Sequence, residues 1–207
     1  AVSNTEATVE STVDRVNSDL LDIRQIFDAA NYNIVQEFDI SSEKFAEQFS
    51  LLYEVNSDKI ESLALYGNEG RLIASEPVAV EKENIDVKGQ DWYKNAESAI
   101  ENVHFSIPHI QNLYEDGLYR YHWVVSLSRY VDINDGEIPG SGVLLVDMKY
   151  SVIEDVLKQI NDSSEGIYYY MISRDGQMIY HPRKTEMARG LFEENSLKAS
   201  GYEEGTY

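Results

Sequence analysis

The side chains most often used in catalysis are sparse in this sequence and form no familiar catalytic pattern. The four histidines are His104, His109, His122 and His181. None has the H-x-x-x-H spacing that brings two imidazoles to one metal ion, and none neighbours a serine in a nucleophile-elbow pattern. The segment Gly140–Gly142 lacks the third glycine of a phosphate-binding loop and precedes a predicted strand. We therefore predict no catalytic residues, no metal site and no cofactor.

Asp147 is the acidic residue whose position most strongly suggests a functional role. It directly follows the apolar run Val143–Val146, which predicts that it ends a buried strand. Burying a carboxylate without a hydrogen-bond donor is costly, so Asp147 needs a partner. A ligand amine or hydroxyl can supply the donor, and so can a lysine, an arginine or a backbone group of the chain itself. The sequence leaves both possibilities open.

Aromatic and amide side chains cluster along the chain near the predicted strand ends. Trp92 and Tyr93 begin a predicted helix, while His109 and Gln111 end a predicted strand. The next strand has an alternating aromatic series, Tyr119, Tyr121 and Trp123. Planar amphipathic walls with a few polar anchors are typical of small-molecule pockets. The alternative is that these rings fill the core between a sheet and its helices.

The N-terminal segment has the pattern of one long helix. Residues 6–35 contain neither glycine nor proline, and their apolar residues recur at alternating steps of four and three. The residues of this seam are Val9, Val13, Val16, Leu20, Ile23, Phe27, Ala30 and Ile34. The seam fits a stalk that pairs with a second copy in a homodimer, or a helix packed on its own domain. Both can hold along different lengths of the helix.

The remaining pattern predicts an α+β fold with antiparallel strands. Hairpins with a glycine at the turn are expected within residues 60–75 and 167–181, and further strands at 103–110, 118–130 and 142–147. Residues 132–142, rich in glycine, proline and aspartate, predict a loop. Ser41-Ser42-Glu43 is expected to start a helix, and Asp91 and Ser151 are expected to cap helices. Because the second hairpin resembles the first, we expect two related modules: a stalk at 1–35, a first module at 36–162 and an incomplete second module at 163–207.

Composition limits the possible partners. The 207 residues carry a net charge of −20 and no cysteine, and 43% of them are hydrophobic. Such a charge repels nucleic acid, so no nucleic-acid partner is expected. The absence of cysteine excludes disulfides and thiolate sites. No stretch approaches the length of a membrane-spanning helix and no signal peptide is seen, so we expect a soluble piece of a longer protein.

The order of several short motifs resembles a known family. These motifs are Gln90-Asp-Trp-Tyr93, Phe105-Ser-Ile-Pro-His-Ile-Gln-Asn112, Trp123-Val-Val-Ser-Leu-Ser128 and Gly142-Val-Leu-Leu-Val-Asp147. Together with the long N-terminal helix they resemble the double Cache, or PDC-like, extracellular sensor domain. The resemblance is greatest to bacterial sensor histidine kinases of the YesM-like type.

This resemblance implies an architecture and a role. A long helix is expected beside tandem modules with central antiparallel sheets flanked by helices, and the membrane-distal module is expected to bind a small polar ligand. Flanking transmembrane helices would anchor the extracytoplasmic domain and carry its signal to a histidine kinase. The alternatives are a chemoreceptor sensor domain, or a ligand-free module that dimerises or docks a solute-binding protein.

The resemblance also implies a set of site residues. Amino-acid-binding members hold the ligand carboxylate with an arginine and a tryptophan and hold the amine with acids; Trp92, Tyr93 and Asp147 match this pattern. The arginine position holds Gln90, and a further acidic position holds Gln111. A glutamine cannot neutralise a carboxylate as arginine does, so a neutral or cationic polar metabolite or a sugar-like compound is expected instead of a simple α-amino acid. The predicted ligand-binding residues are Gln90, Trp92, Tyr93, His109, Gln111, Trp123 and Asp147.

Overall fold

The computed structural model describes residues 2–136 and 138–202, and its architecture confirms the predicted α+β class. The helices are α1 (Val2–Ala30), which continues as a π-helical turn (Asn31–Val35), α2 (Glu43–Glu54), α3 (Asp91–Ser98), α4 (Ser151–Asp162), α5 (Lys184–Ala188) and α6 (Ser196–Ala199). The strands are β1 (Ile60–Gly67), β2 (Leu72–Glu76), β3 (His104–Phe105), β4 (His109–Ile110), β5 (Trp123–Asp135), β6 (Ile138–Lys149), β7 (Met171–Ile172) and β8 (Met178–Tyr180).

The described chain divides into two compact units. The larger unit comprises residues 19–150 and contains the main sheet. The smaller unit begins with residues up to 18 and resumes at residue 151, and it holds α4 and the β7–β8 hairpin. The boundaries 1–35, 36–162 and 163–207 expected from the sequence stay predictions. None of the helices in the described part of the chain combines the length and apolarity that crossing a bilayer requires.

The main sheet is antiparallel, with the strand order β2-β1-β6-β5-β3, and β4 also pairs with β5. Successive side chains point to opposite faces of a strand, so the register decides which residues meet on one face. Ser62 of β1 lies opposite Asp147 of β6, and Ser126 of β5 lies opposite Asp147 on the other side. The register therefore places two hydroxyl side chains on either side of the buried carboxylate.

One face of the sheet carries the core that supports the candidate site. Ala64, Tyr66, Val143 and Leu145 project from this face and pack against α3 and the segment around Leu113. The alternate residues Leu63, Leu65, Leu144 and Val146 are fully buried on the opposite face. Because both faces are covered, β1 and β6 read as almost continuous apolar runs, and a polar residue within them is conspicuous.

The seam of α1 is buried along only part of its length. Val16, Ile23 and Phe27 are buried, whereas Val9 and Val13 are 38% and 49% exposed. The packing of a helix on its own chain thus accounts for the later part of the seam. A homodimer through the earlier part stays a prediction.

One loop assignment and part of one strand assignment made from the sequence are wrong. The predicted loop 132–142 is the tip of a long hairpin in which Asp132 pairs with Ser141 and Asp135 with Ile138. Cross-strand pairing outweighs the weak strand propensity of these residues. Residues 118–122 are not a strand: the carboxylate of Asp116 accepts a hydrogen bond from the backbone N–H of Leu118, and this local turn competes with sheet pairing.

Candidate functional site

Asp147 is the centre of a buried polar cluster on the face of the sheet that packs against α3. Its side chain is 1% exposed. The Ser126 hydroxyl donates to Oδ1 at 2.5 Å, and the Ser62 hydroxyl lies 3.1 Å from Oδ2 and donates to it. The donors that Asp147 requires are therefore supplied from within the chain, by side chains of the two strands that flank β6.

Gln111 adds a third donor to the same carboxylate. Its amide Nε2 donates to Oδ2 of Asp147 at 3.2 Å and to the Ser62 hydroxyl at 3.1 Å. The Gln111 amide thus stands next to Oδ2, where the amine of a ligand would donate a hydrogen bond to the same carboxylate. Gln111 comes from the segment after β4, outside the paired strands, so this contact can be exchanged without breaking the sheet.

His109 extends the cluster beyond Ser126. Its Nε2 lies 3.3 Å from the Ser126 hydroxyl oxygen, whose proton goes to Asp147, so the imidazole N–H donates in this contact. The other ring nitrogen lies 3.0 Å from the Ile107 carbonyl and 3.2 Å from the Ser106 hydroxyl. The carbonyl can accept from a protonated nitrogen and the hydroxyl can donate to an unprotonated one.

Burial dominates the electrostatics of Asp147. Removal from water raises the pKa of its carboxyl, against the opposing effects of the Ser126 hydrogen bond, the nearby His109 and the hydrogen bonds from Gln111 and Ser62. The net direction is upward. The interior of the cluster therefore remains favourable for a proton or for a further cationic donor.

A cleft of about 720 Å³ opens next to this cluster. Its lining comes from β1, from residues 77–80 and 82, and from residues between 110 and 122. Ser62 and Gln111 line the cleft and contact Asp147, whereas Asp147 itself is not part of the lining. A ligand in the cleft would therefore meet Gln111 and Ser62 before it reached the carboxylate.

Trp92 and Tyr93 belong to the hydrophobic core. The Trp92 indole is 6% exposed and its ring centroid lies 5.3 Å from that of Tyr66. Tyr93 is fully buried and its hydroxyl donates to the carbonyl of Gly67 at 2.9 Å. Both rings pack over the same sheet face as Asp147. Neither ring is among the described residues that line the cleft.

Gln90 and Trp123 lie apart from the polar cluster. Gln90 precedes α3 as its N-terminal cap, and its amide donates to the carbonyl of Asp86 at 3.3 Å. Trp123 is 51% exposed at the start of β5, with its ring 6.4 Å from that of Tyr150. Of the predicted site residues, the structure brings together His109, Gln111 and Asp147.

The sequence reasoning missed Ser62 and Ser126. Both serines are buried in their strands, and each lies opposite Asp147. A hydroxyl residue within a buried strand is a usable signal, because a buried hydroxyl requires a hydrogen-bond partner. The pairing of the strands could not be read from the same signal, so the partner would have stayed unknown.

The rim of the cleft is held by an ion-pair cluster around His122. Its Nδ1 lies 2.7 Å from Oε1 of Glu61, and its Nε2 lies 2.7 Å from Oδ2 of Asp116. Asp116 also pairs with Arg120 at 3.0 Å. The hydrogen bond from His122, with further donors from Leu118 and Arg120, holds the pKa of Asp116 well below its usual range. These contacts attach the loop before β5 to β1.

Asp116→Asn is expected to lower the melting temperature at pH 7, because it removes the negative charge that faces His122 and Arg120. Since the pKa of Asp116 is lower in the folded state than its ordinary value of 3.8, its stabilising effect is present above that pH and declines as the pH falls below it. Thermal unfolding of both proteins from pH 7 to pH 2 measures the difference. Glu115→Gln, an exposed neighbour, is the control; a difference that stays constant below pH 3.8 would contradict the assignment.

The family model dCache_1, described as a Cache domain, matches residues 1–207. The chain belongs to the Cache family. The likeness that the motifs indicated is thus confirmed at the level of the family, whose members are ligand-binding sensor domains. No curated protein is significantly similar to this Cache domain.

Solved chemoreceptor domains share the fold of this Cache domain. The ligand-binding domain of the Pseudomonas aeruginosa PAO1 chemoreceptor PctC, in complex with GABA, has a TM-score of 0.69 and 18% identity, over 88% of this chain and 77% of that chain. The PctB domain of the same organism, with L-Gln, has a TM-score of 0.60 and 20% identity, over 87% and 68% of the two chains. The Pseudomonas fluorescens CtaA domain, with L-serine, has a TM-score of 0.62 and 21% identity, over 85% and 70%. At these identities the likeness establishes the fold.

Proposed function

We propose that this Cache domain is the extracytoplasmic sensor of a membrane receptor and binds a small polar ligand in the unit formed by residues 19–150. The observation that carries the proposal is the buried carboxylate of Asp147 beside a cleft of about 720 Å³. A cleft of this size suits a metabolite. The side chains between cleft and carboxylate, Ser62 and Gln111, are suited to orient polar ligand groups.

The ligand differs from a simple α-amino acid in this proposal. The solved relatives are complexes with L-Gln, GABA and L-serine, which supports a small ligand that carries an amine. In this chain Gln90 stands where the resemblance implies an arginine, and its amide is directed to the carbonyl of Asp86. A guanidinium grip on a ligand carboxylate is therefore absent from that position. A neutral or cationic polar metabolite fits the site better.

Signalling is proposed to follow from ligand-dependent stabilisation of one arrangement of the cleft. The exchange of the Gln111 amide for a ligand group would change contacts on Asp147 and Ser62, and α1 contributes residues to both units. Coupling free energies of about 1–3 kcal/mol are enough for such a switch. A few hydrogen bonds that form in only one state provide energies of this size.

A screen of the purified chain tests the sensor proposal. We expect that thermal-shift and calorimetric measurements against amino acids, amines, sugars and carboxylates will find a metabolite that raises the melting temperature. Titration at two protein concentrations separates binding in the cleft from ligand-driven dimerisation. Tight binding of simple α-amino acids would overturn the proposed ligand class. A complete lack of binding would overturn the sensor proposal.

The second candidate is a module that docks a solute-binding protein. It is favoured by an exposed apolar loop at the cleft, in which Leu118 is 71%, Tyr119 90% and Tyr121 78% exposed. Exposed aromatic side chains are typical of protein–protein interfaces. Complex formation with a purified solute-binding protein, lost in a Tyr119→Ser and Tyr121→Ser double variant, would support this candidate over direct ligand binding.

The output of the receptor is proposed to be a histidine kinase of the YesM-like type. The sequence motifs support this choice, whereas the similar solved domains belong to chemoreceptors. Autophosphorylation of the full-length receptor in lipid nanodiscs, with and without the ligand found in the screen, tests the assignment. A receptor without kinase activity that instead modulates a chemotaxis kinase would replace it by the chemoreceptor alternative.

A further inference from the structure

His109 and Asp147 are joined by a chain of hydrogen bonds that runs through one hydroxyl group. Nε2 of His109 lies 3.3 Å from Oγ of Ser126, and that oxygen lies 2.5 Å from Oδ1 of Asp147. The second distance is at the short end of the range for a hydroxyl that donates to a carboxylate. Because His109 is half-buried and Asp147 is 1% exposed, the chain connects a ring that reaches solvent with a carboxylate in the interior.

The surroundings of Nδ1 of His109 favour a proton on this nitrogen. Nδ1 lies 3.0 Å from the carbonyl oxygen of Ile107, which can only accept hydrogen bonds. The Ser106 hydroxyl lies 3.2 Å from Nδ1, but it also lies 2.9 Å from the same carbonyl oxygen and donates to it. The backbone N–H of Ser126 donates to this hydroxyl oxygen at 2.8 Å and holds it in place. A bare Nδ1 would face the lone pairs of the carbonyl, so the Nδ1–H form of the ring is favoured.

The two carboxyl oxygens of Asp147 have different partners. Oδ2 accepts from the Ser62 hydroxyl at 3.1 Å and from the Gln111 amide at 3.2 Å. Oδ1 faces Ser126 and is therefore the oxygen that can take up a proton without the loss of these two contacts. Burial raises the pKa of this carboxyl, against the opposing effects of the Ser126 hydrogen bond and the nearby His109. A proton on Oδ1 is thus less costly here than it is in water.

One proton fits this chain of hydrogen bonds in two arrangements of the same heavy atoms. In the first, Nε2–H of His109 donates to Oγ of Ser126, and the Ser126 hydroxyl donates to an ionised Asp147. In the second, a protonated Oδ1 donates to Oγ, and the Ser126 hydroxyl donates to a bare Nε2. The change from the first to the second breaks the Nε2–H bond and the original Oγ–H bond, and it forms a new Oγ–H bond and an Oδ1–H bond. Each of these atoms keeps a hydrogen-bond partner in both arrangements.

The neighbouring titratable groups do not supply or remove this proton. Burial above all, and in addition the charges of Glu81 and Asp147, raise the pKa of the Tyr66 and Tyr114 phenols, so both stay neutral. The ion-pair cluster around His122 at the rim of the cleft is occupied by its own contacts. Among the ion pairs of the described residues, none brings a lysine or an arginine to Asp147.

We propose that His109, Ser126 and Asp147 form a proton relay that lets the charge of the buried cluster follow the pH of the solvent. With one shared proton the relay is neutral overall, either as an ion pair or as an imidazole and a carboxylic acid. As the pH rises, the relay loses this proton and keeps a single negative charge on Asp147. The relay operates whether or not the cleft binds a ligand, and it adds pH as a second input to the domain.

NMR spectroscopy of the purified chain tests the relay without a ligand. In a titration from pH 4 to pH 9, ¹⁵N-labelled imidazole rings and ¹³C-labelled aspartate carboxyl groups report the protonation of His109 and Asp147 separately, and His109→Gln and Asp147→Asn assign the two signals. We expect Nδ1 of His109 to stay protonated throughout. We expect Nε2 and the Asp147 carboxyl carbon to share their inflection points, as coupled sites do. The rings of His104, His122 and His181 serve as internal references.

Ser126→Ala removes the hydroxyl between the two groups and is expected to separate their titration curves by at least about one pH unit. Ser128→Ala is the matched control and should leave the curves shared, because Ser128 is buried on the same strand and its hydroxyl donates to the Trp92 carbonyl, outside the relay. A neutral His109 ring with its proton on Nε2 would contradict the relay, and so would separate curves in the wild-type chain or shared curves in Ser126→Ala. Because the wild-type spectra decide the first two of these results, the inference can be rejected even if Ser126→Ala does not fold.

Discussion

Asp147→Asn is expected to raise the thermal stability of the domain and to weaken ligand binding by at least about 10-fold. Burial raises the pKa of the Asp147 carboxyl, so the folded state bears a cost for keeping this group ionised at neutral pH. An amide of the same shape removes that cost: its oxygen accepts from the Ser126 hydroxyl, while its NH2 group, in the place of Oδ2, can donate to the Ser62 hydroxyl oxygen, and only the contact with the Gln111 amide is lost. We expect a gain on the order of 1 kcal/mol at pH 7, or a few degrees in melting temperature.

The gain should depend on pH in a defined direction. Because the pKa of Asp147 is higher in the folded state than its ordinary value of 3.8, the wild-type chain is favoured by protonation below that pH and loses this advantage as the pH rises through the folded-state pKa. The stability difference between Asp147→Asn and the wild type should therefore grow from pH 4 to pH 7.

The matched control for this prediction is Asp132→Asn, at an exposed position of β5. It should change neither stability nor affinity. The measurements are thermal unfolding at several pH values and calorimetry with the ligand that binds the wild type. A variant that loses its fold while the wild type remains folded would show that the ionised carboxylate is needed for structure, and a variant with full affinity would remove Asp147 from the site.

Trp92→Ala is expected to destabilise the domain by about 3–5 kcal/mol, the usual cost of truncating a large buried aromatic side chain. The indole is 6% exposed, contacts the ring of Tyr66 and lies 5.6 Å from that of Tyr93 between ring centroids. Its removal leaves a cavity in the core between α3 and the sheet. Urea unfolding monitored by circular dichroism gives the change in the free energy of unfolding.

Trp123→Ala is the comparison that makes the previous result informative. Its side chain is 51% exposed, so the same truncation should cost less than about 1 kcal/mol. If Trp92→Ala were as stable as Trp123→Ala and lost only ligand affinity, the indole would form a wall of an open pocket and not part of the core. Equal, large losses of stability in both variants would contradict the difference in burial that separates them.

Local signals in the sequence predicted the elements that depend on few neighbours. The helix α2 begins within Ser41-Ser42-Glu43 as expected, with the Ser42 hydroxyl accepting from the backbone N–H of Phe45, and α4 begins at Ser151 as its capping pattern indicated. The loop predicted at residues 132–142 was wrong because long-range strand pairing overrides the local signal there. There, the local preference for a turn extends over more residues than the sheet leaves unpaired, because β5 and β6 remain paired up to Asp135 and Ile138.

For the candidate site as well, local sequence predicted some features and the tertiary structure was needed for others. The apolar run before Asp147 was sufficient to predict a buried carboxylate that needs a donor, because this follows from the cost of burying charge. The identity of the donors was not available, since Ser62 and Gln111 are 85 and 36 residues away from it in the chain. The orientation of Trp92 was equally open, because a ring at the start of an amphipathic helix can face a core or a cavity with the same local sequence.

The amino-acid sequence by itself determined most of the helices and strands, the burial of Asp147, and the excess of acidic over basic residues. The tertiary structure decided which hydroxyl and amide groups reach that carboxylate and that the Trp92 indole belongs to the core. The physical reason is that helix and strand preferences act over a few residues. Hydrogen bonds between distant segments exist only once strand register has brought their atoms within about 3 Å.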